Sequence, residues 1–313
     1  MSHMFDLGRM RVLRELSHRG TLAAVAEALS YSPSTISQQL SQLEKETGTR
    51  LLEPDGRKVR LTAQAHVLVA HTEKVLAVMD ETQAAMAASP HGIQGHLRVA
   101  AFQTVASALL PQVVERIHDE EPALRVSVTQ MEPEHALPAL RARDFDLVFT
   151  EDYPGTPSPR PPGLDVEHLT DDPLRLYALA EQVGDVADLA ETVWVMEPHG
   201  SAARHWAVAQ CREAGFEPDV RFESTDLRFH AELVRHGQAA AFLPDLAGPH
   251  LTDDLTPLPL PHSPARRLST VTRTGHRDHP AITLLRQRVH DAANAPTNRG
   301  HRDHEAIART RPT

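Results

Sequence analysis

The sequence predicts an α/β protein that opens with a small, all-α-dominated winged helix-turn-helix domain and continues into a larger α/β domain. Three observations predict it. Three short helical periods with their own caps fill the first 48 residues, a basic turn segment follows them, and from His96 onward short apolar strands alternate with helices. At 313 residues the chain is too long for one ordinary core and fits one small domain plus one larger one. A hydrophobic fraction of 41% and a charged fraction of 24% are those of a folding globular chain.

The first helix is read over Phe5 to Ser17, with Met10, Leu13 and Leu16 at helical spacing and Gly20 as its stop. Thr21 caps the second, which carries Leu22, Val25, Ala26 and Leu29. Ser32 caps the third. Pro33 takes its first position, where the missing N–H has no partner to lose, and the helix runs to about Thr47 with Gly48 beyond it.

Ile36, Leu40 and Leu43 make one apolar stripe on that third helix. Its other face is Ser34, Thr35, Ser37, Gln38, Ser41 and Gln42. An ordinary solvated face carries Glu, Lys and Arg, whereas short uncharged donors and acceptors suit base edges in a major groove. Pro54-Asp55-Gly56 then turns between two short segments, with Arg50, Arg57, Lys58 and Arg60 on or beside this wing to meet phosphates. Candidate DNA-binding residues are therefore Thr21, Ser32, Pro33, Ser34, Thr35, Ser37, Gln38, Gln42, Arg50, Arg57, Lys58 and Arg60.

Charge is distributed to match. The chain carries −10 overall, but residues 1–62 hold nine basic against seven acidic side chains, which leaves −12 on the rest. Phosphate attracts the first module and repels the body.

The stretch from Phe5 to Ala65, with "GTLAAVAEALSYSPSTISQQLSQLEKETGTRLLEPDGRKVRLTAQA" at its centre, resembles the LysR-type transcriptional regulators, and the match weakens but continues to about residue 290. Thr21, Ala24, Ala26, Leu29, Ser32, Ser37, Leu43, Glu44, Gly48, Leu51, Arg57, Leu61 and Thr62 fall on the family's pattern. Leu52 stands where the family usually has Phe, and Ala65 where it usually has Gly, both packing changes. The resemblance implies double-stranded DNA as partner, a dimer held by a long helix over 63–88, and a tetramer of two dimers across split half-sites. Leu68, Val75, Met79 and Met86 independently give that helix a coiled-coil-like seam, whose alternative is packing against its own domain. Pro90, Gly92 and Gly95 mark a hinge. The expected division is 1–62 DNA-binding domain, 63–89 linker helix, 90–95 hinge, 96–293 regulatory domain and 294–313 a disordered tail rich in Pro, Arg and Asn.

Strands are expected at Leu97–Phe102, Val126–Gln130, Leu147–Thr150, Leu174–Ala178 and Thr192–Met196, and helices at Val105–His118, Glu134–Arg143, Ala202–Ala214 and Leu227–His236, in largely parallel sheets. Phe242-Leu243-Pro244 resembles the family's returning strand. The resemblance implies two lobes of periplasmic-binding-protein type with a small-molecule effector between them. Ligands in such sheets sit at strand ends near helix N-termini, which favour a carboxylate or an amino acid. Phe102, Gln103, Thr104, Glu151, Gly200, Ser201, Ser224 and Thr225 are the candidate effector residues, against a reading of plain N-capping. Glu151-Asp152, if it faces the cleft, adds an amine to the effector's chemistry.

Other classes are weaker. A single cysteine, Cys211, allows no intramolecular disulfide and no multi-cysteine zinc site. Gly-His-Arg-Asp-His occurs at 275–279 and 300–304, but without the rest of a zinc pattern, so no metal and no cofactor are expected. His199, Ser201 and Asp226 lack a nucleophile elbow, so no catalysis is expected. The opening residues contain no apolar leader and no run reaches the roughly 18 residues of a membrane span, so the chain is read as cytoplasmic, not membrane-bound and not a secreted solute-binding protein. A DNA binder that needs no ligand is the remaining alternative. The Met-Ser-His-Met opening carries no assigned function.

Overall fold

Each of the first three helices begins where a side chain can accept the free N–H groups of its first turn. In the computed structural model, which describes residues 5–56, 58–87, 92–156, 163–179, 185–258 and 260–294, α1 spans Leu7–Arg19 behind Asp6, α2 spans Leu22–Leu29 behind Thr21, and α3 spans Pro33–Thr47 behind Ser32. Gly20 and Gly48 end α1 and α3 in the left-handed region, at φ 74° and 64°. Leu13, Leu16, Val25, Ile36, Leu40 and Leu43 close a core between the three helices.

The wing is an antiparallel pair, β1 (Leu52–Asp55) and β2 (Lys58–Leu61), with Pro54 inside β1 rather than at the turn. Glu44 of α3 fixes it: one carboxylate oxygen accepts from the backbone N–H of Leu51 at 2.8 Å and of Leu52 at 3.1 Å. Thr62 then donates to the Arg50 carbonyl and accepts from the Ala65 N–H, which starts α4 (Ala63–Ala87).

α4 has two faces. Ala65, Thr72, Leu76, Asp80 and Ala84 are buried against the chain's own domains. Val67, Val75, Val78, Met79 and Met86 are exposed on the other side, Met86 at 75%, while Leu68 of the expected seam is half-buried.

The regulatory body follows as β3 (Gly95–Ala101), α5 (Gln103–Ala108), α6 (Leu110–Glu120), β4 (Leu124–Gln130), α7 (Pro133–Arg141), β5 (Leu147–Asp152), β6 (Leu164–Tyr177), β7 (Val193–Met196), α8 (Ala202–Glu213), β8 (Asp219–Glu223), α9 (Leu227–Arg235), β9 (Ala241–Pro244), α10 (Pro249–Thr252), β10 (Ala265–Arg273) and α11 (Pro280–Asn294). Six strands run in the order β4-β3-β5-β10-β6-β9. β3 pairs parallel with β4 and β5, but β10 and β9 pair antiparallel, so the sheet is mixed and not largely parallel. β6 serves both lobes: Leu164 to Pro173 pair with β10, and Leu174 to Tyr177 pair with β9. β7 and β8 extend the second lobe through a bridge from Trp194 to Ala240.

Several expected elements differ. The helix over Val105–His118 is two helices broken at Leu109, because Pro111 favours a fresh first turn. The strand expected at Leu174–Ala178 is only the end of the 14-residue β6. β8, β10 and α11 were not anticipated. Pro90 of the expected hinge, and the tail beyond Asn294 with the second Gly-His-Arg-Asp-His, lie outside the described residues.

The first copy of that repeat lies in a tight turn, Thr274–His276, laid against α4. Asp80 of α4, 2% exposed, meets Arg143 at 2.6 Å, His276 at 3.2 Å and Arg273 at 3.4 Å. Arg143 reaches it from a left-handed backbone, φ 69°, which a non-glycine residue adopts only at a cost of about 1 kcal/mol. Burial alone would raise the Asp80 carboxyl, but His276 and Arg143 outweigh it and hold the group well below the usual carboxylate range. The DNA-binding domain rests on the same lobe. Arg14, 1% exposed, bonds Glu15, Glu73 and the Arg141 carbonyl, and Arg19 bonds Asp144 at 2.7 Å.

Gly275 permits the approach of that turn to α4, since a Cβ there would lie 2.3 Å from the Ala77 carbonyl oxygen. Gly275→Ala is expected to lower stability by about 1–3 kcal/mol through forced separation of turn and helix. Urea unfolding followed by circular dichroism checks it, and an unchanged midpoint would mean that the contact yields freely.

Candidate DNA-binding helix and inter-lobe cleft

On α3 the apolar stripe is buried and Ser34, Ser37, Gln38, Ser41 and Gln42 are exposed together. The Ser32 hydroxyl accepts from the Thr35 N–H at 3.1 Å and shares hydrogen bonds with the Ser34 and Thr35 hydroxyls at 2.7 and 2.8 Å. Ser32, Pro33 and Thr35 therefore build the helix start, while Ser37, Gln38 and Gln42 point outward from its middle. Thr21 caps α2, its hydroxyl accepting from Ala24. Arg50 is exposed beside the wing, and Arg60 pairs with Glu53 at 2.8 Å across it. Arg57 and the side chain of Lys58 lie outside the described residues.

The cleft between the lobes is organised by Arg266 on β10, a fully buried guanidinium. It bonds Glu151 of β5 at 2.6 Å, Asp172 of β6 at 2.9 and 2.7 Å, and the Thr104 hydroxyl at 2.7 Å, with Phe102 beneath it at 5.4 Å from the ring centre. Burial opposes its charge, but Glu151, Tyr153 and Asp172 together raise its pKa above the ordinary value. Gln103 closes the lobes over this centre. Its amide donates to Asp226 at 2.7 Å and its carbonyl accepts from the Leu227 N–H at 3.0 Å, at the start of α9.

Around Arg266 the charge is acidic. Burial, then the repulsion of Glu151 and Glu134, pushes the Glu132 carboxyl up to about 7. Burial, then Glu151 and Glu132, pushes Glu197 at the end of β7 up to about 8. A cavity of about 420 Å³, counted out to its mouth, is lined by Glu197, His230, Arg266, Tyr153, Trp206 and Phe242 among others.

The eight effector residues expected from the strand ends fall into two groups. Phe102, Thr104 and Glu151 surround Arg266, and Gln103 joins the turn that contains Ser224 and Thr225. Ser201 caps α8 through the Arg204 N–H at 3.1 Å, Ser224 accepts from the Asp226 N–H at 2.9 Å, and Gly200 and Thr225 are exposed. None of the eight lines the cavity itself. Arg266, Glu132, Glu197 and His230, which dominate the cleft, were missed. His199, Ser201 and Asp226 do not meet: His199 lies 3.5 Å from Glu223, and the other two cap separate helices.

Comparison with known proteins agrees with this architecture. Residues 7–66 match the bacterial regulatory helix-turn-helix protein, lysR family, and residues 90–294 match the LysR substrate binding domain. The chain is 26% identical over 250 residues to the transcriptional dual regulator GltC of Bacillus subtilis, spanning 77% of this chain and 81% of that one. It is 28% identical over 286 residues to the DNA-binding transcriptional dual regulator OxyR of Escherichia coli, spanning 86% and 89%. Full-length OxyR from Pseudomonas aeruginosa superposes with a TM-score of 0.65 at 20% identity, covering 92% of this chain and 95% of that one. The regulator CbnR bound to its target DNA superposes at 0.52 with 21% identity, covering 92% and 99%. With both halves matched in order across most of its length, the chain belongs to the LysR family of bacterial helix-turn-helix regulators, DNA-binding transcription regulators that carry an effector-binding domain.

Proposed function

We propose that Ser34, Ser37, Gln38 and Gln42 read base edges in a major groove while Arg50 and the wing hold phosphates, and that a small effector between the lobes changes how the DNA-binding domains are presented. The observation that carries this reading is the exposed, uncharged polar face of α3, set by a capped first turn and an anchored wing. The exposed apolar side of α4 supports assembly as a dimer, with pairs of dimers spanning split sites. The reading keeps the division at 1–62, 63–89, 90–95 and 96–293 and a cytoplasmic location beside its DNA. The separate engagement of His199, Ser201 and Asp226 supports a regulator without catalysis.

Peroxide sensing, named for OxyR's group of relatives, does not carry over through thiol chemistry. Cys211 is fully buried on α8, and burial, aided by Glu217, pushes its thiol up to about 12.

Footprinting on DNA flanking its own gene and on genomic fragments tests the reading; failure to bind any fragment would overturn it. Arg50→Ala is expected to weaken binding evenly across sequences and lower the salt slope by about 1, whereas Gln38→Ala is expected to cost about 1–3 kcal/mol and relax preference at one base position. Gln103→Ala removes the cross-lobe hydrogen bonds, and amide exchange at Leu227 is expected to rise about tenfold or more. Peroxide treatment is expected to leave the footprint of parent and Cys211→Ser alike, and a parent-only response would restore a thiol mechanism.

A further inference from the structure

Resting on the effector-cleft reading above, we propose that the cleft selects an organic cation, whose ammonium is taken by the Glu197 carboxylate and His230 Nδ1 inside the cavity.

Three observations converge on a donor-rich, positively charged headgroup. The first is charge balance. Glu132, Glu151, Asp172 and Glu197 surround one guanidinium, and Arg266 is already matched by Glu151 and Asp172. Among the described residues, Glu132 and Glu197 are left with no positive partner of their own. The second is independent of charge. His230 lines the cavity, is 2% exposed, and its ring Nε2 bonds the Ser224 carbonyl at 2.8 Å, so Nε2 carries the proton. Burial lowers the His230 pKa and keeps the ring neutral, which makes Nδ1 an acceptor, and Nδ1 has no hydrogen-bond partner. An unmatched buried acceptor and a carboxylate lining the same cavity ask for N–H groups. Once Glu197 has ionised, a carboxylate placed there would meet two acceptors.

The third is the wall. Tyr153, Trp206 and Phe242 line the same cavity, with Tyr153 and Trp206 rings 5.8 Å apart and Trp206 edge-on to Phe242 at 5.0 Å, surfaces that attract a cation and cover its methylenes. A bare metal ion fits less well, since among the described residues no three His, Cys, Asp or Glu side chains gather at coordinating range.

Titration follows from the same groups. Glu132 and Glu197 are largely protonated at pH 6 and ionise through about 7 and 8, so cation binding strengthens as pH rises and releases protons. Calorimetry on the full chain with ammonium, n-butylamine, 1,4-diaminobutane and L-lysine, beside butyrate and calcium, at pH 6 and 8.5 tests this. We expect at least one amine to bind, about tenfold or more tightly at pH 8.5, with heats that depend on the buffer, and Glu197→Gln and Glu132→Gln each to weaken it by about tenfold or more. Both variants mimic the protonated state and are expected to keep or gain thermal stability at pH 8.5, which separates lost binding from lost folding. Binding of butyrate or calcium alone, or amine affinity indifferent to pH and to both variants, would overturn the assignment. If no amine binds while the protein still footprints DNA, the cation falls and the regulator stands; absence of any footprint would remove the reading beneath it.

Discussion

Arg266 is the constraint around which the regulatory domain is arranged. A guanidinium withdrawn from water is tolerated only if its N–H groups and its charge are both matched, and here Glu151, Asp172, Thr104 and the face of Phe102 do so from four different elements. Those four elements, β3's end, α5, β5 and β6, are thereby tied to β10 at the junction of the lobes. Asp172 also accepts from the Leu246 N–H at 2.9 Å, which secures the chain just after β9 on its way back from the second lobe. Loss of any one carboxylate would strand charge in the interior, so the network specifies the junction as well as stabilising it.

The other end of β10 repeats the theme. Arg273, seven residues along the strand from Arg266 and about 24 Å away at an extended rise, is buried among Asp80, Asp146, the Leu140 and Phe145 carbonyls and His276. One strand therefore connects the cleft to α4, and Asp80 lies at the contact. The DNA-binding domain touches the same lobe through Arg14 and Arg19 at residues 141 and 144. A shift of β10 relative to α7 and β5 has a direct physical route to α4, through ion pairs that have few alternative partners.

Local chemistry that acts within a few residues was legible. Thr21 and Ser32 begin helices because each side chain reaches a backbone N–H three residues on, and Gly20 and Gly48 end α1 and α3 because they accept a positive φ; Asp6 does the same as Thr21 and Ser32 for α1, whose start was expected at Phe5 instead. β10 was not legible, because Ala-Arg-Arg-Leu-Ser-Thr-Val-Thr-Arg buries polar side chains that are satisfied only by distant partners, and hydropathy alternation is lost. α11 is a different case: Ile282, Leu285 and Val289 carry a readable helical period. The cleft was half-legible. Strand ends located Phe102, Gln103, Thr104 and Glu151, but Arg266, Glu132, Glu197 and His230 come together only through topology, which spacing does not encode.

The raised carboxyls of Glu132 and Glu197 oppose folding as the pH rises toward and past neutrality. For a carboxyl whose folded pKa lies above its unfolded value, the favourable contribution is complete below about 4.5 and declines as pH rises through the folded pKa, here about 7 and 8. Glutamine at either position would avoid that cost without changing shape, and the fold has Arg–carboxylate pairing in use a few residues away. Among the described residues these carboxylates have no cationic partner of their own, and Glu197 shares its cavity with an unmatched imidazole nitrogen. A cation from outside supplies both missing partners at once: it lowers the carboxyl pKa values, satisfies Nδ1 and stabilises whichever lobe arrangement encloses it. The cleft's instability and its selectivity then have one cause, and binding energy gained there is available to move β10.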